Sequence, residues 1–212
     1  YNTGATEEVA VSWNEGELKA AVAAGVGTYT ISGKVTVEET EYDVTCQLTI
    51  KQKNLLLNGG FEDSDMCMWV LSDDCVARTK DNNKRSGSYS LKFWDSDAVS
   101  FTAEQEVTLD KGIYTLEAYV QGGDAGDDAV FELYAVSGDK TYTKETSVTS
   151  WQNWSKPVIT DIEVAEDNTT IIVGAKVDAA AGAWGSWDDF YLYQSGEIKS
   201  DDADTDDSDK DD

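Results

Sequence analysis

Histidine is absent from this chain, which excludes serine and cysteine triads and every metal centre that needs an imidazole ligand. Cysteine is scarce. The three present, Cys46, Cys67 and Cys75, are odd in number and lack Cys-x-x-Cys spacing, which argues against a zinc site or a disulfide scaffold. They read as buried small hydrophobes, with a Cys67–Cys75 bridge as the alternative. Basic residues are also few, 16 against 42 acidic ones, for a formal charge of −26. A field of that sign repels phosphate backbones and anionic lipid, so nucleic acid and membrane surfaces are poor partners and a neutral ligand or a cation suits it better. No apolar run is long enough to cross a bilayer and no signal peptide opens the chain. Its start at Tyr1-Asn-Thr-Gly reads as the middle of a longer protein.

What is present alternates with a period of two and is rich in Val, Thr, Tyr and Ile between Gly, Asn and Asp clusters, the pattern of an all-β chain. Short strands are expected at 9–13, 27–33, 34–37 and 42–50, with one helix-like stretch at 17–24. Their order, Val-Ser-Trp13, a Leu-bearing connection, Gly27-Thr-Tyr-Thr-Ile-Ser-Gly-Lys-Val35 and a last strand ending in Leu-Thr-Ile50, resembles the bacterial immunoglobulin-like modules that lie between domains of secreted enzymes. The resemblance covers 1–52 and lacks that family's first strand.

A second domain is expected at 53–194, with strands at 55–58, 66–71, 76–79, 89–94, 99–109, 113–121, 129–136, 142–148, 154–164, 170–177 and 188–193, enough for two packed sheets. Pro157, the sole proline, marks an edge or a bulge within its strand. The segment 195–212 carries no apolar residue larger than alanine after Ile198 and ends in an aspartate run, the composition of a disordered acidic tail or linker. Asp202, Asp204 and Asp206 have the spacing of a calcium loop, but Asp207 replaces the required Gly and no terminal Glu follows.

Alternation assigns faces. Tyr89, Leu91 and Phe93 point one way and Ser90, Lys92 and Trp94 the other. Tyr114, Leu116, Ala118 and Val120 form a core row opposite Thr115, Glu117, Tyr119 and Gln121. Outward aromatics beside amides and carboxylates suit a sugar, whose C–H patch packs on a ring and whose hydroxyls need fixed partners. The alternative is a protruding ring covered by a loop or a neighbouring module. The loop Gln121-Gly-Gly-Asp-Ala-Gly-Asp-Asp128 can approach a ligand closely and offers Asp124 to vicinal hydroxyls; otherwise it is an acidic hairpin loop. Trp184 and Trp187 flank Gly185-Ser186, while Trp69 and Trp154 read as core. Trp94, Tyr119, Gln121, Asp124, Trp184 and Trp187 are therefore the candidate sugar-binding residues.

Asn54-Leu-Leu-Leu-Asn58-Gly-Gly-Phe-Glu62 and Trp184-Gly-Ser-Trp-Asp188-Asp189-Phe-Tyr-Leu192 can bring hard oxygen ligands together where the domain's chain enters and leaves. Glu62 and Asp188, with backbone carbonyls at Gly60 and near Ser86, are the candidate ligands of a structural calcium. Counting back from the core pair Phe190 and Leu192 places Asp188 inward, where an unpaired carboxylate calls for a cation. A hydrogen-bonded cap is the alternative.

Asp65-Met-Cys-Met-Trp69, Arg85-Ser-Gly-Ser-Tyr-Ser-Leu-Lys-Phe-Trp94, Gln121-Gly-Gly-Asp-Ala-Gly126 and Ala183-Trp-Gly-Ser-Trp-Asp-Asp-Phe-Tyr-Leu-Tyr193, in this order, resemble the family 61 carbohydrate-binding modules of bacterial endo-β-1,4-galactanases. The resemblance implies a galactose-binding-like jelly roll that recognises β-1,4-galactan, a pectic side chain. It further implies an upstream family 53 catalytic domain in the same chain and a secreted or cell-surface location. A small glycosidase with paired carboxylates and a purely structural spacer are the competing readings.

Overall fold

The computed structural model describes residues 8–198, which divide into two compact units meeting in sequence between Lys53 and Asn54.

In the first unit β1 (Val11–Trp13) leads through helix α1 (Glu15–Ala24) to β2 (Gly27–Val37) and β3 (Thr40–Ile50), an antiparallel sheet of order β1-β2-β3. Asn14 caps the helix, its side-chain oxygen accepting the amides of Gly16 and Glu17 at 3.0 and 3.2 Å, which satisfies two of the helix's orphan donors. The break expected between 33 and 34 is absent. Gly33 continues the strand under the Trp13 ring, where an added Cβ would lie 2.6 Å from the indole.

The second unit contains β4 (Val70–Leu71), β5 (Val76–Thr79), β6 (Ser90–Trp94), β7 (Ala98–Leu109), β8 (Gly112–Gly123), β9 (Val130–Ser137), β10 (Lys140–Thr146), β11 (Val158–Val164), β12 (Thr169–Ala181) and β13 (Trp184–Gly196). They form two five-stranded sheets of order β10-β9-β12-β7-β4 and β11-β8-β13-β6-β5. Alternate residues of both, among them Leu91, Phe93, Val99, Leu116, Val120, Leu133, Val173 and Leu192, are buried between them in one apolar core. This is the sandwich of antiparallel sheets that period-two patterning demands.

The strand expected at 55–58 does not form. Asn58 and Phe61 adopt left-handed backbone, φ 50° and 59°, and side chains replace the missing ladder. The buried Gln105 amide accepts from Leu57 N and donates to Leu57 O, both at 2.8 Å, while Asn54 donates to Phe190 O at 2.8 Å and accepts from Leu192 N at 3.0 Å. The expected strand at 66–71 shrinks to β4, and that at 154–164 begins after Pro157. β13 is longer than expected at both ends and includes Ser195 and Gly196, which removes them from the acidic tail. The tail's remaining aspartates lie outside the described residues.

None of the cysteines is buried. All three are free thiols, with Cys67 exposed and Cys46 and Cys75 half-buried. This corrects the expectation of buried hydrophobes and removes the bridge.

Candidate functional site

The outer face of the β11-β8-β13-β6-β5 sheet follows from register. Cross-strand partners in an antiparallel ladder project to the same side. Trp184 lies opposite Gly123, Ser186 opposite Gln121 and Asp188 opposite Tyr119. On the other flank of β13, Trp184 lies opposite Trp94 and Ser186 opposite Lys92. With Leu116, Ala118 and Val120 buried in the core, this set faces away from it.

Asp188 thus belongs to the outer row, contrary to the inward position expected from Phe190 and Leu192. A register shift between Asp188 and Tyr191, with Asp189 at φ 51°, breaks the alternation. The two tryptophans around Gly185-Ser186, both expected to reach a sugar, divide between the faces. Trp184 faces out, whereas Trp187 is 0% exposed and packs 5.8 Å from the Phe190 ring. Trp187 is a core residue and cannot stack on a sugar.

At one end of this face two indoles stand on neighbouring strands. Trp94 is 56% exposed. Trp184 lies across Gly123, where an added Cβ would be 2.8 Å from its ring, and its Nε1 donates to Asp124 Oδ2 at 2.8 Å. Asp124 follows β8 in left-handed backbone, φ 55°, which turns its carboxylate back over the sheet. The arrangement offers an apolar surface edged by an acceptor.

Gln121 and Tyr119 behave differently from expectation. Gln121 is fully buried and both ends of its amide are committed, Nε2 donating to Asn83 O at 3.3 Å and Oε1 accepting the Gln152 amide. It holds loops and does not reach a ligand. The Tyr119 ring carries the Arg85 guanidinium 3.4 Å from its centroid, and a face so covered is closed to a pyranose. Arg85 is drawn there by Asp189, with Nη1 to Oδ2 at 2.6 Å. Long-range covering of this kind leaves no mark in alternation.

Trp151, which alternation does not assign, is 56% exposed and donates its indole N–H to Asn83 Oδ1 at 2.8 Å. Its only signal in sequence is an aromatic in a polar connection.

The carboxylates assigned to calcium converge on the loop 85–89. Asp188 Oδ2 accepts the amides of Arg85 and Ser86 at 2.8 and 3.3 Å, and Glu62 Oε1 accepts those of Ser88 and Tyr89 at 2.7 and 2.9 Å. Gly60 adjoins the aspartates, an added Cβ there lying 3.5 Å from Asp189 Oδ1 and 4.0 Å from Asp188 Oδ1. The Ser86 hydroxyl donates to Asp189 Oδ1 at 2.7 Å. Burial pushes the Asp188 carboxyl up to about 7, aided by the Asp189 charge and opposed by the Arg85 amide. Among the described residues no three acidic, cysteine or histidine side chains cluster as a metal site. The two carboxylates already serve as acceptors for the loop, and the oxygen-only donor set with one costly buried charge still fits a hard cation.

Comparison with solved structures places the chain. TmCBM61, solved in complex with β-1,4-galactotriose, matches it with 32% identity and a TM-score of 0.61 over 67% of this chain and 99% of that one. The chain belongs to carbohydrate-binding module family 61. Two further likenesses show the fold alone. The CBM22-1 xylan-binding domain of Paenibacillus barcinonensis Xyn10C matches family 61's present member with 16% identity and a TM-score of 0.51 over 70% of this chain and 97% of that one. The arabinose-bound MgGH51 α-L-arabinofuranosidase matches with 15% identity and a TM-score of 0.51 over 66% and 26%. No protein-family model and no curated protein matches the chain. Among the described residues no helix of this family 61 chain is long and apolar enough to cross a membrane.

Proposed function

We propose that this family 61 module binds β-1,4-galactan without catalysis and holds an attached glycoside hydrolase at its polymer. The observation that carries the reading is the outward pair Trp94 and Trp184, with Asp124 fixed at the edge of the second ring by the 2.8 Å indole hydrogen bond. The galactotriose bound by a relative at 32% identity supports the ligand class. Galactose carries an axial hydroxyl that leaves one ring face more continuously apolar, suited to an indole. An ionised carboxylate has about four lone-pair sites, so after accepting the indole N–H Asp124 keeps acceptor capacity for sugar hydroxyls. A polar group left unpaired costs more than one lost apolar contact, which is how such an edge separates galactan from cellulose.

The acidic surface favours neutral galactan over polygalacturonate, whose carboxylates it repels. Tethering then raises the local substrate concentration for the partner domain. A secreted family 53 endo-β-1,4-galactanase is the parent protein this reading expects. Calcium would be held by Glu62 and Asp188 with the carbonyls of Gly60 and Ser86. When bound it supplies a compensating charge for the buried carboxylate, while the loop amides orient both acids.

Calorimetry with β-1,4-galactotetraose, cellotetraose and polygalacturonate tests the ligand. Galactotetraose is expected to bind with millimolar to micromolar affinity, on the order of −4 to −8 kcal/mol, nearly unchanged by salt. Equal affinity for cellotetraose, or no heat with galactotetraose, would sink the reading.

A further inference from the structure

An edge strand presents unpaired backbone N–H and C=O groups, and proteins blunt such edges because they recruit another strand. The second unit does so at all four edges of its two sheets. β4 has two residues and β5 four, β10 carries Lys140 and Lys144, and β11 breaks register between Ile159 and Ile162. The first unit does not. β3 runs for eleven residues with no proline, lysine or bulge, in unbroken register with β2, and among the described residues no strand pairs with its outer side.

Alternation divides β3 into two rows. Tyr42, Val44, Cys46, Leu48 and Ile50 lie on the side where Ile31 and Val35 of β2 are buried. None of the five is itself buried: Tyr42 is 53% exposed and the others are half-buried. The opposite row, which includes Glu41, Asp43 and Gln47, is exposed throughout.

Antiparallel pairing of this edge with that of a second copy is symmetric about one residue, which meets its own counterpart. Centred on Cys46, the pairing sets Val44 against Leu48 and Tyr42 against Ile50, so the complete apolar row is matched. A slip of one residue sets the apolar row against the polar one, and a slip of two leaves Tyr42 or Ile50 without an apolar partner. The centred register also sets Glu41 against Lys51, the first residue past β3, and Asp43 against Thr49, so no like charges oppose each other. Residues 1–53 carry four lysines against eight acids, so most of the chain's self-repulsion arises elsewhere.

We propose that β3 is a self-association edge, through which two copies of this chain pair antiparallel with Cys46 at the two-fold centre. The dimer joins two carbohydrate-binding units, and linked modules hold a polymer with an avidity above that of either alone. The pairing itself needs no sugar and stands apart from the galactan reading.

The experiment is sedimentation velocity of the whole chain under reducing conditions over a dilution series. It compares the natural sequence, Glu41→Lys, Lys51→Glu and the double variant, each with a matched melting curve. The natural chain is expected to pass from monomer to dimer as concentration rises. Each single reversal sets like charges opposite each other at two symmetric places and is expected to weaken the dimer about tenfold, whereas the double variant should recover it. Glu41 also pairs with Lys34 of its own copy at 2.8 Å. The double variant leaves that pair broken, so recovery reports the contact between copies. A second readout is trapping with diamide, which takes two electrons and two protons from a pair of thiols and leaves a disulfide. The bridge is expected to join Cys46 to Cys46, a pair whose directly opposed Cβ atoms lie about 4.5 to 5.5 Å apart before closure, although Cys67 is the exposed thiol. A monomer at every concentration overturns the proposal. So does a dimer indifferent to both single reversals, or one trapped through Cys67 instead of Cys46.

Discussion

Glu62 and Asp188 grip opposite ends of one loop. Asp188 Oδ2 takes the amides of Arg85 and Ser86, and Glu62 Oε1 takes those of Ser88 and Tyr89. Residues from the start and the end of the second unit are thereby fixed to a segment between β5 and β6, which in turn sets Arg85 over Tyr119.

The clasp should make stability depend on calcium and on pH. In the calcium-free protein Asp188 keeps its proton up to about pH 7, whereas its ordinary value is 3.8. Between those values the folded state binds more protons than the unfolded one, so stability should fall as the pH rises through the window and level off above it. Asp178, held below the usual carboxylate range by the Ser100 hydroxyl and Lys176, contributes stability that is lost only at lower pH. Melting curves from pH 4 to 8 in chelator should show the decline, and calcium should flatten it by holding Asp188 ionised. A curve at pH 8 that calcium does not move would remove the ion.

Gly87 adopts φ 56°, and a Cβ there would lie 2.2 Å from Glu62 Oε1. Gly87→Ala therefore combines left-handed strain with expulsion of the acceptor, and a loss of about 1 to 3 kcal/mol is expected. Chemical denaturation checks this, and the calcium-dependent gain in melting temperature should shrink in the same variant.

Trp94→Ala and Trp184→Ala should each weaken galactotetraose binding by roughly 1 to 3 kcal/mol. Asp124→Ala frees the Trp184 indole and should cost less than removal of that ring, with Asp124→Asn between it and the natural protein because an acceptor oxygen remains. Isothermal titration ranks the four, and full affinity in both tryptophan variants would move the site off this face.

Trp187 and Trp69 separate core packing from hydrogen bonding. The Trp69 indole donates to Asn58 O at 3.2 Å, whereas the buried Trp187 Nε1 has no partner among the described residues. Replacing either ring by Phe leaves a cavity, but only Trp187→Phe also removes an unpaired buried donor, a penalty of about 1 to 3 kcal/mol. Urea denaturation should therefore show Trp187→Phe to be the milder change, and Trp187→Ala should cost about 3 to 5 kcal/mol.

The all-β architecture, the core rows of β6 and β8 and the outward direction of Trp94 are legible in sequence because the strand period is local and uninterrupted there. The pairing of Glu62 with Asp188 around one region is legible too, since carboxylates at the two chain ends of a sandwich have few places to go. Tertiary structure alone decided which tryptophan beside Ser186 is the surface one: a bulge with Asp189 in left-handed backbone resets the alternation, and nothing in a count of two announces it. It alone buried Gln121 beneath the loops carrying Asn83 and Gln152, and laid Arg85 on Tyr119. Those contacts join residues far apart in the chain, and their energy comes from hydrogen bonds and ring faces that exist only after the sheets have packed.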